Sequence, residues 1–199
     1  MAIERTVFTA ATAAARATEI GAWLTANASD YFDTVVVDGT TITCTIGGNT
    51  ALVFTTTSLT LYTKSGISTS SIQAVMGTAW LYGIKTSKGI ALYYKISSNI
   101  GSIFLAKSNA NSNIILVKYN TSWRAYDFEN SPSITSYSLA APTTSPSGST
   151  VLVPIVGDGV ATYSDSIYFM FYNQFPNTEG NIIVNNVTYY TDGYYALKE

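Results

Sequence analysis

Three pairs of carboxylates stand close enough along this chain to act together: Asp30 with Asp33, Asp127 with Glu129, and Asp158 with Asp165. Two carboxyl groups flanking a glycosidic bond can share the roles of general acid and of nucleophile or base, so the chemistry they suggest is glycoside hydrolysis. Asp127 and Glu129 are two residues apart and would share one face of a strand. They run straight into a loop at Pro132, however, and the other pairs lie at a helix exit and in turns. Acidic residues beside turns usually cap backbone amides instead of catalysing. The chain has no histidine, which removes Ser-His-Asp and Cys-His mechanisms and the commonest zinc sites. It contains no Gly-x-Ser-x-Gly elbow, no phosphate-binding loop and no dinucleotide fingerprint. Clustered Asp and Asn could coordinate calcium, but the loop spacing of a recognised site is missing. No cofactor and no metal are expected.

Aromatic residues are the other chemical resource. There are 15 tyrosines, and with Trp80 and Trp123 they could form a face on which sugars stack, since Tyr and Trp combine rigid area with a polar handle. The competing reading makes them core and interface residues of a Tyr-rich β protein. Cys44 stands alone, so neither a disulfide framework nor a Cys-rich metal site is possible. It alternates with Thr43 and Thr45 between Ile42 and Ile46, the setting of a small buried hydrophobe.

The elements that must position these residues are mainly strands. Residues 9–27 are the one strong helix candidate. Ala13, Ala17, Ile20 and Leu24 recur at helical spacing on one face, with Thr12, Arg16 and Glu19 on the other and Trp23 at the border. That alanine-rich face either packs on the chain's own sheet or docks a second subunit. From Tyr31 the period becomes two. Val35–Val37, Asp38-Gly39 and Thr41–Ile46 predict a hairpin with Ile42, Cys44 and Ile46 inward, and Gly47-Gly48-Asn49 turns the chain into Leu52–Thr55 and Leu59–Thr63. Residues 64–78 lack a clear period. Trp80, Tyr82 and Ile84 then alternate and pair across a turn with Leu92, Tyr94 and Ile96. Ile103–Ala106, Ile114–Tyr119 and Trp123–Phe128 follow as further strands. Residues 129–149 hold Pro132, Pro142, Pro146 and Gly148 among Ser and Thr, and predict a long loop or an arm reaching over a neighbour. Val151–Val156 resumes the strands. In 163–175 both faces are apolar, with Tyr168, Met170 and Tyr172 on one side, so cover is expected on both.

Composition limits the partners. Charged residues make up 11% of the chain, less than half the usual share, so the surface must be rich in hydroxyls and amides. Such a surface does little to hold copies of the chain apart. A net charge of −2 gives no basic footprint for nucleic acid. No apolar stretch reaches the length of a membrane span. Arg5, Val7–Ala15 and Ala15-Arg16-Ala17 faintly mimic a secretory signal, but the Ala/Thr-rich run and Glu4 favour a retained helix. Three Asn-x-Ser/Thr matches, at Asn27, Asn120 and Asn186, fit chance in so Ser/Thr/Asn-rich a chain.

Residues 180–199 carry a Gly, an Ile/Val strand, an Asn-rich turn, the pair Tyr189-Tyr190, Asp192-Gly193 and an ending through Tyr194, Tyr195, Ala196 and Leu197. They predict a three-stranded meander closing the chain. The pattern resembles the terminus of virion proteins in tailed bacteriophages and prophages of Gram-positive gut bacteria. Thr41-Ile42-Thr43-Cys44 and the run from Tyr82 to Ile90 resemble the same group. The likeness covers most of the chain in style and only these segments in detail. Asn185-Asn186 departs from it, standing where Asn-Gly or Asp-Gly is the norm. The resemblance implies a virion structural role and assigns no functional residue.

The sequence thus predicts a single mainly β domain, an antiparallel sandwich or partly closed barrel with one N-terminal helix. The expected function is a non-enzymatic, self-assembling subunit of a phage particle, located in the virion, whose partners are copies of itself and other virion proteins. Its expected assembly surface is Ala13, Ala17, Ile20, Leu24, Tyr168, Met170, Tyr172, Tyr194 and Tyr195. The alternative is a carbohydrate-binding adhesin that recognises host surface glycans through Trp80 and Trp123.

Overall fold

The computed structural model describes residues 4–56, 58–72, 80–85, 89–96, 99–107, 112–119, 122–134, 136–138, 151–154, 156–157, 161–162, 168–171, 180–184, 187–191 and 196–198, with side-chain surroundings mainly up to residue 134. The described residues are mainly β, with one helix among them and two antiparallel sheets packed together. In order, the elements of this part are β1 (Glu4–Val7), α1 (Ala13–Asn27), β2 (Thr34–Asp38), β3 (Thr41–Ile46), β4 (Asn49–Phe54), β5 (Leu59–Tyr62), β6 (Ser68–Ile72), β7 (Trp80–Lys85), β8 (Gly89–Ile96), β9 (Asn99–Lys107), β10 (Asn113–Tyr119), β11 (Ser122–Asp127) and β12 (Ser136–Ser138).

Strands β2 to β6 form a five-stranded meander in sequence order. Its connections follow from turn chemistry. Gly47 and Gly48 both hold positive φ, at 57° and 76°, as a two-residue turn twisted to match right-handed strands requires. They join Ile46 directly to its partner Asn49. Gly39, at φ 58°, serves the β2–β3 turn, where Asp38 faces Thr41. Ile42, Cys44 and Ile46 are buried, and the threonines between them are half-buried, so the alternation read from sequence sets the inward face.

The second sheet runs β1-β7-β8-β9-β10-β11-β12. One of its faces meets the five-stranded sheet in a common core that contains Phe54, Leu59 and Leu61 together with Trp80, Leu92, Tyr94, Ile103, Ile115 and Tyr126. Arg124 of β11 also reaches across, donating from Nη1 to Thr69 Oγ1 of β6 at 2.5 Å. At β7–β9 the opposite face is buried as well: Tyr82, Ile84, Ala91, Tyr93, Ser102 and Phe104 are all nearly inaccessible.

A bulge in β7 decides which residues go where. Trp80 pairs with Tyr94, but Tyr82 pairs with Tyr93, leaving Leu81 as the extra residue. The three residues expected to share a face therefore divide. Trp80 points into the common core, and Tyr82 and Ile84 lie on the far side. Gly83 replaces them on the core side, where the Trp23 ring lies 2.6 Å from the position its Cβ would take. A β-carbon there would overlap the indole, so the close approach of α1 to β7 depends on glycine.

Helix α1 spans the same two sheets. Gly21 abuts the Val37 side chain of β2, and Trp23 lies on Gly83 of β7. Ala17, Ile20 and Leu24 are fully buried, and Ile20 and Leu24 each contribute about 1.5–3 kcal/mol of burial. The helix starts later than periodicity suggests. Thr12 is its N-cap, accepting from Ala15 N at 3.3 Å, and the preceding amides of Thr9 and Ala10 donate to the Glu19 carboxylate at 2.9–3.0 Å.

Four strands escaped the sequence reading. β1 precedes the helix in a stretch read only as part of a signal-like run, β6 falls in the stretch with no clear period, β12, on the edge beside β11, falls in the stretch read as an arm, and a two-residue strand at Ala161–Thr162 was not foreseen; residues 139–150 of the arm lie outside the described set. The remaining strands are β13 (Val151–Pro154), β14 (Val156–Gly157), β15 (Ala161–Thr162), β16 (Tyr168–Phe171), β17 (Gly180–Val184), β18 (Val187–Thr191) and β19 (Ala196–Lys198). β14 pairs with β15, and the others form a sheet in the order β13-β16-β19-β18-β17. Within it β17, β18 and β19 are consecutive antiparallel neighbours, and Val184 faces Val187 across a two-residue connection.

Candidate functional site

Asp127 and Glu129 sit where β11 ends, and their carboxylates are occupied by the chain's own donors. Asp127 Oδ1 accepts from the amides of Glu129 (3.0 Å) and Asn130 (3.1 Å), and Oδ2 accepts from Asn130 Nδ2 (2.9 Å). Glu129 reaches back to the start of β10, accepting from Asn113 N (2.7 Å) and Asn113 Nδ2 (2.6 Å). Ser131 and Ser112 extend the network, Ser131 Oγ accepting from Asp127 N and Ser112 Oγ from Asn130 Nδ2. A short side-chain acceptor bonding amides two and three residues ahead is a turn-forming device. The pair lashes one turn to one strand end and does not converge on an open space.

The other carboxylates behave similarly. Asp33 Oδ2 accepts from the Gly48 amide at 3.0 Å, holding the β3–β4 turn. Asp30 is exposed beside Tyr31, whose phenol is pushed up to about 12 by burial, with the Asp30 charge adding to it. Asp158 and Asp165 lie outside the described residues. Among those described, no three His, Cys, Asp or Glu residues gather as a metal site would require.

The tryptophan expected to stack on sugars is inside. Trp80 is completely inaccessible, packed against Phe54 (ring centroids 5.6 Å apart) and Tyr94 (4.8 Å). The bulge that splits β7 also turns this ring inward, so Trp80 does not form a glycan-binding surface. Trp123 lies in β11, opposite Lys118 of β10 and Tyr137 of β12; its side chain is outside the described set. On the far face of the seven-stranded sheet, Tyr82 stacks on Tyr93 at 4.8 Å, Tyr93 meets Phe104 edge-on at 5.7 Å, and the Arg5 guanidinium lies 4.4 Å above the Tyr82 ring.

The helix face expected to dock a subunit is likewise occupied from within. Ala17, Ile20 and Leu24 have no exposed surface, and Ala13 is half-buried. Ala17, Ile20 and Leu24 pack in the chain's own core, which corrects their assignment to an assembly surface. Arg16 corrects a second expectation. Helical spacing puts it on the polar side, yet it is buried. Its Nε and Nη2 donate to Ala10 O at 3.0 and 2.7 Å, its Nη1 donates to Trp80 O, and Glu19 stands 3.4 Å away. An Arg is buried only where its donors are matched, and here they close the segment before the helix onto β7. No sequence signal marks those carbonyls as partners. Tyr168 and Met170 belong to the backbone of β16, and Tyr172, Tyr194 and Tyr195 lie outside the described residues.

Among the described residues one sheet face is open to solvent. The side of β2–β5 turned away from the core carries Thr34, Val36, Thr43, Thr45, Val53 and Thr60. Register places Val36, Thr43, Val53 and Thr60 in one row across four strands. Val36 is 55% exposed, and the rest of that row is half-buried. Thr34 and Thr45 share a hydroxyl–hydroxyl bond of 2.7 Å. Among the described residues of these strands the one charged group is Asp38, at the end of the edge strand. Alternation of Thr41, Thr43 and Thr45 identified the outward direction in the sequence; the cross-strand row needs the register, which sequence does not supply.

Among the described residues no helix is long and apolar enough to cross a membrane. No protein family, curated protein or solved structure shows a significant match to the chain.

Proposed function

We propose that the chain is a non-enzymatic structural subunit of a phage particle, one that works by joining copies of itself and other virion proteins. The observation that carries this reading is what the reactive-type side chains do. Asp127, Glu129 and Asp33 cap turns, Arg16 binds carbonyls, and Trp80 and Cys44 are buried in the core. Groups that could do chemistry hold the fold together, and the surface they leave is hydroxyl- and methyl-rich with few ions. Burying such a surface against a neighbour costs little charge desolvation. The short segments resembling tailed-phage virion proteins supply the setting.

Light scattering on the purified full chain, followed by electron microscopy of the same sample, tests the reading. Regular oligomers formed without ligand are the expected result. A stable monomer that turns over a glycoside would overturn it. The adhesin alternative loses Trp80 as a contact residue, and it would be favoured by glycan binding that disappears when Trp123 is replaced by Ala.

A further inference from the structure

We infer that β1 and residues 8–12 form a strap along the edge of the seven-stranded sheet, and that the Glu19 carboxylate is a clasp that opens it in acid. The inference is independent of the assembly reading above. β1 is the outermost strand. β7 lies on one side of it, no strand among the described residues lies on the other, and all four of its residues are exposed. Its own side chains therefore bury little, and few buried contacts make an element easy to open.

Three contacts behind the strand hold it shut. Phe8 is buried edge-on against Trp23, ring centroids 6.0 Å apart, and donates from its amide to Leu81 O at 2.8 Å. The next two amides, of Thr9 and Ala10, donate to the Glu19 carboxylate on α1 at 2.9–3.0 Å. Arg16 donates to Ala10 O and to Trp80 O, and its Nε stands 3.4 Å from Glu19. No other ionisable group faces the clasp from the strap itself, because residues 8–12 are Phe, Thr, Ala, Ala and Thr. From β1 and β7, Glu4 and Lys85 lie on the Gly83 side and face each other, and Arg5 lies over Tyr82 on the far side. Neutralising Glu19 thus removes the charge that both amides and Arg16 share. A carboxyl group that accepts such bonds best when ionised loses them as pH falls, so the strap is shut at neutral pH and opens in acid. Opening bares the backbone N–H and C=O row of β7, which is a template for another strand. The pairings among β8 to β12 do not involve the strap.

Amide hydrogen exchange on the full chain, read residue by residue by NMR, tests this. The reporters are Phe8, bonded to Leu81 O, and Thr6, paired with Gly83. Their partners are on β7 and untouched by a change at Glu19, so only opening exposes them. In Glu19→Gln one oxygen remains for the amides and an NH2 group faces the other donors. At pH 7 the protection of Phe8 and Thr6 should fall by about tenfold or more, with the amides of β8 and β9 unchanged. The wild type should show the same local loss at about pH 3, once corrected for the intrinsic exchange rate. Unchanged protection of Phe8 and Thr6 in Glu19→Gln would overturn the clasp. An equal loss in every strand would overturn the strap as a separate unit. A variant that opens while the wild type stays shut in acid would overturn protonation as the trigger.

Discussion

At the residue scale, the groups with chemical potential are spent on backbone amides and carbonyls. Asp127→Asn is the sharpest test. Asparagine keeps one oxygen for the Glu129 and Asn130 amides but turns its own NH2 toward Asn130 Nδ2, donor against donor. We expect a loss of about 1–3 kcal/mol in urea denaturation, and an unchanged midpoint would show that the network contributes nothing to stability. Cys44 gives an independent check. It is buried in β3, and burial pushes its thiol well above the usual range, so almost no thiolate is present at neutral pH. A thiol reagent should leave the native protein untouched and label it fully in guanidinium. Fast native labelling would mean that the core opens readily.

At the element scale, the entry to α1 depends on pH. Partial burial works to raise the Glu19 carboxyl, but the Thr9 and Ala10 amides and the Arg16 charge outweigh it and hold it below its ordinary 4.5. A depressed acid stabilises the fold at pH values above its unfolded value, and that contribution is lost as pH falls through the folded one. Stability of the wild type should therefore decline below about pH 4.5 more steeply than that of Glu19→Gln, measured by denaturant midpoints from pH 3 to pH 7. Parallel curves would remove Glu19 from the account. Most elements here were legible because their physics is local. Thr41–Ile46 alternates strictly, Gly47-Gly48 forces a tight turn, and Ala17, Ile20 and Leu24 repeat at helical spacing. β1, β6 and β12 were not legible, since the four residues Glu4–Val7 and the Ser-rich stretches of the other two have no apolar period and pair only because β7, β5 and β11 offer an edge. The fate of Arg16 and Trp80 was hidden for a different reason. Each depends on partners far along the chain, and a one-residue bulge intervenes.

At the scale of the whole molecule, β7–β9 of the seven-stranded sheet are buried on both faces while its edge strand β1 is exposed, and the five-stranded sheet lends one face to the core and leaves the other outward. The candidate site was accordingly half legible. Low charge pointed to self-contact from composition, but the helix stripe first suggested for it is internal. On the assembly reading, contacts between surfaces so poor in ions would be indifferent to screening. We expect the association constant to change by less than about threefold between low salt and 1 M NaCl, where charge pairs between exposed groups would be largely screened. Dissociation on raising the salt would mean that ionic contacts hold the copies together.

Leu81 serves the molecule through its backbone more than through its side chain. It is the unpaired residue of the β7 bulge, 36% exposed, and its carbonyl accepts from Phe8 N at 2.8 Å. Leu81→Ser should fold nearly as well as the parent by thermal melting, since that carbonyl survives. Removing the residue outright should leave Trp80 and Gly83 on the core side and Tyr82 and Ile84 on the far side, because neighbouring strand residues alternate and their pairing with Tyr94, Leu92, Tyr93 and Ala91 needs no extra residue; only the local bend and the carbonyl used by Phe8 N are lost, so the deletion should fold with a lowered melting temperature. Variation among any homologues of this chain should then include β7 with and without this residue, while the small residue beneath the Trp23 ring stays in place.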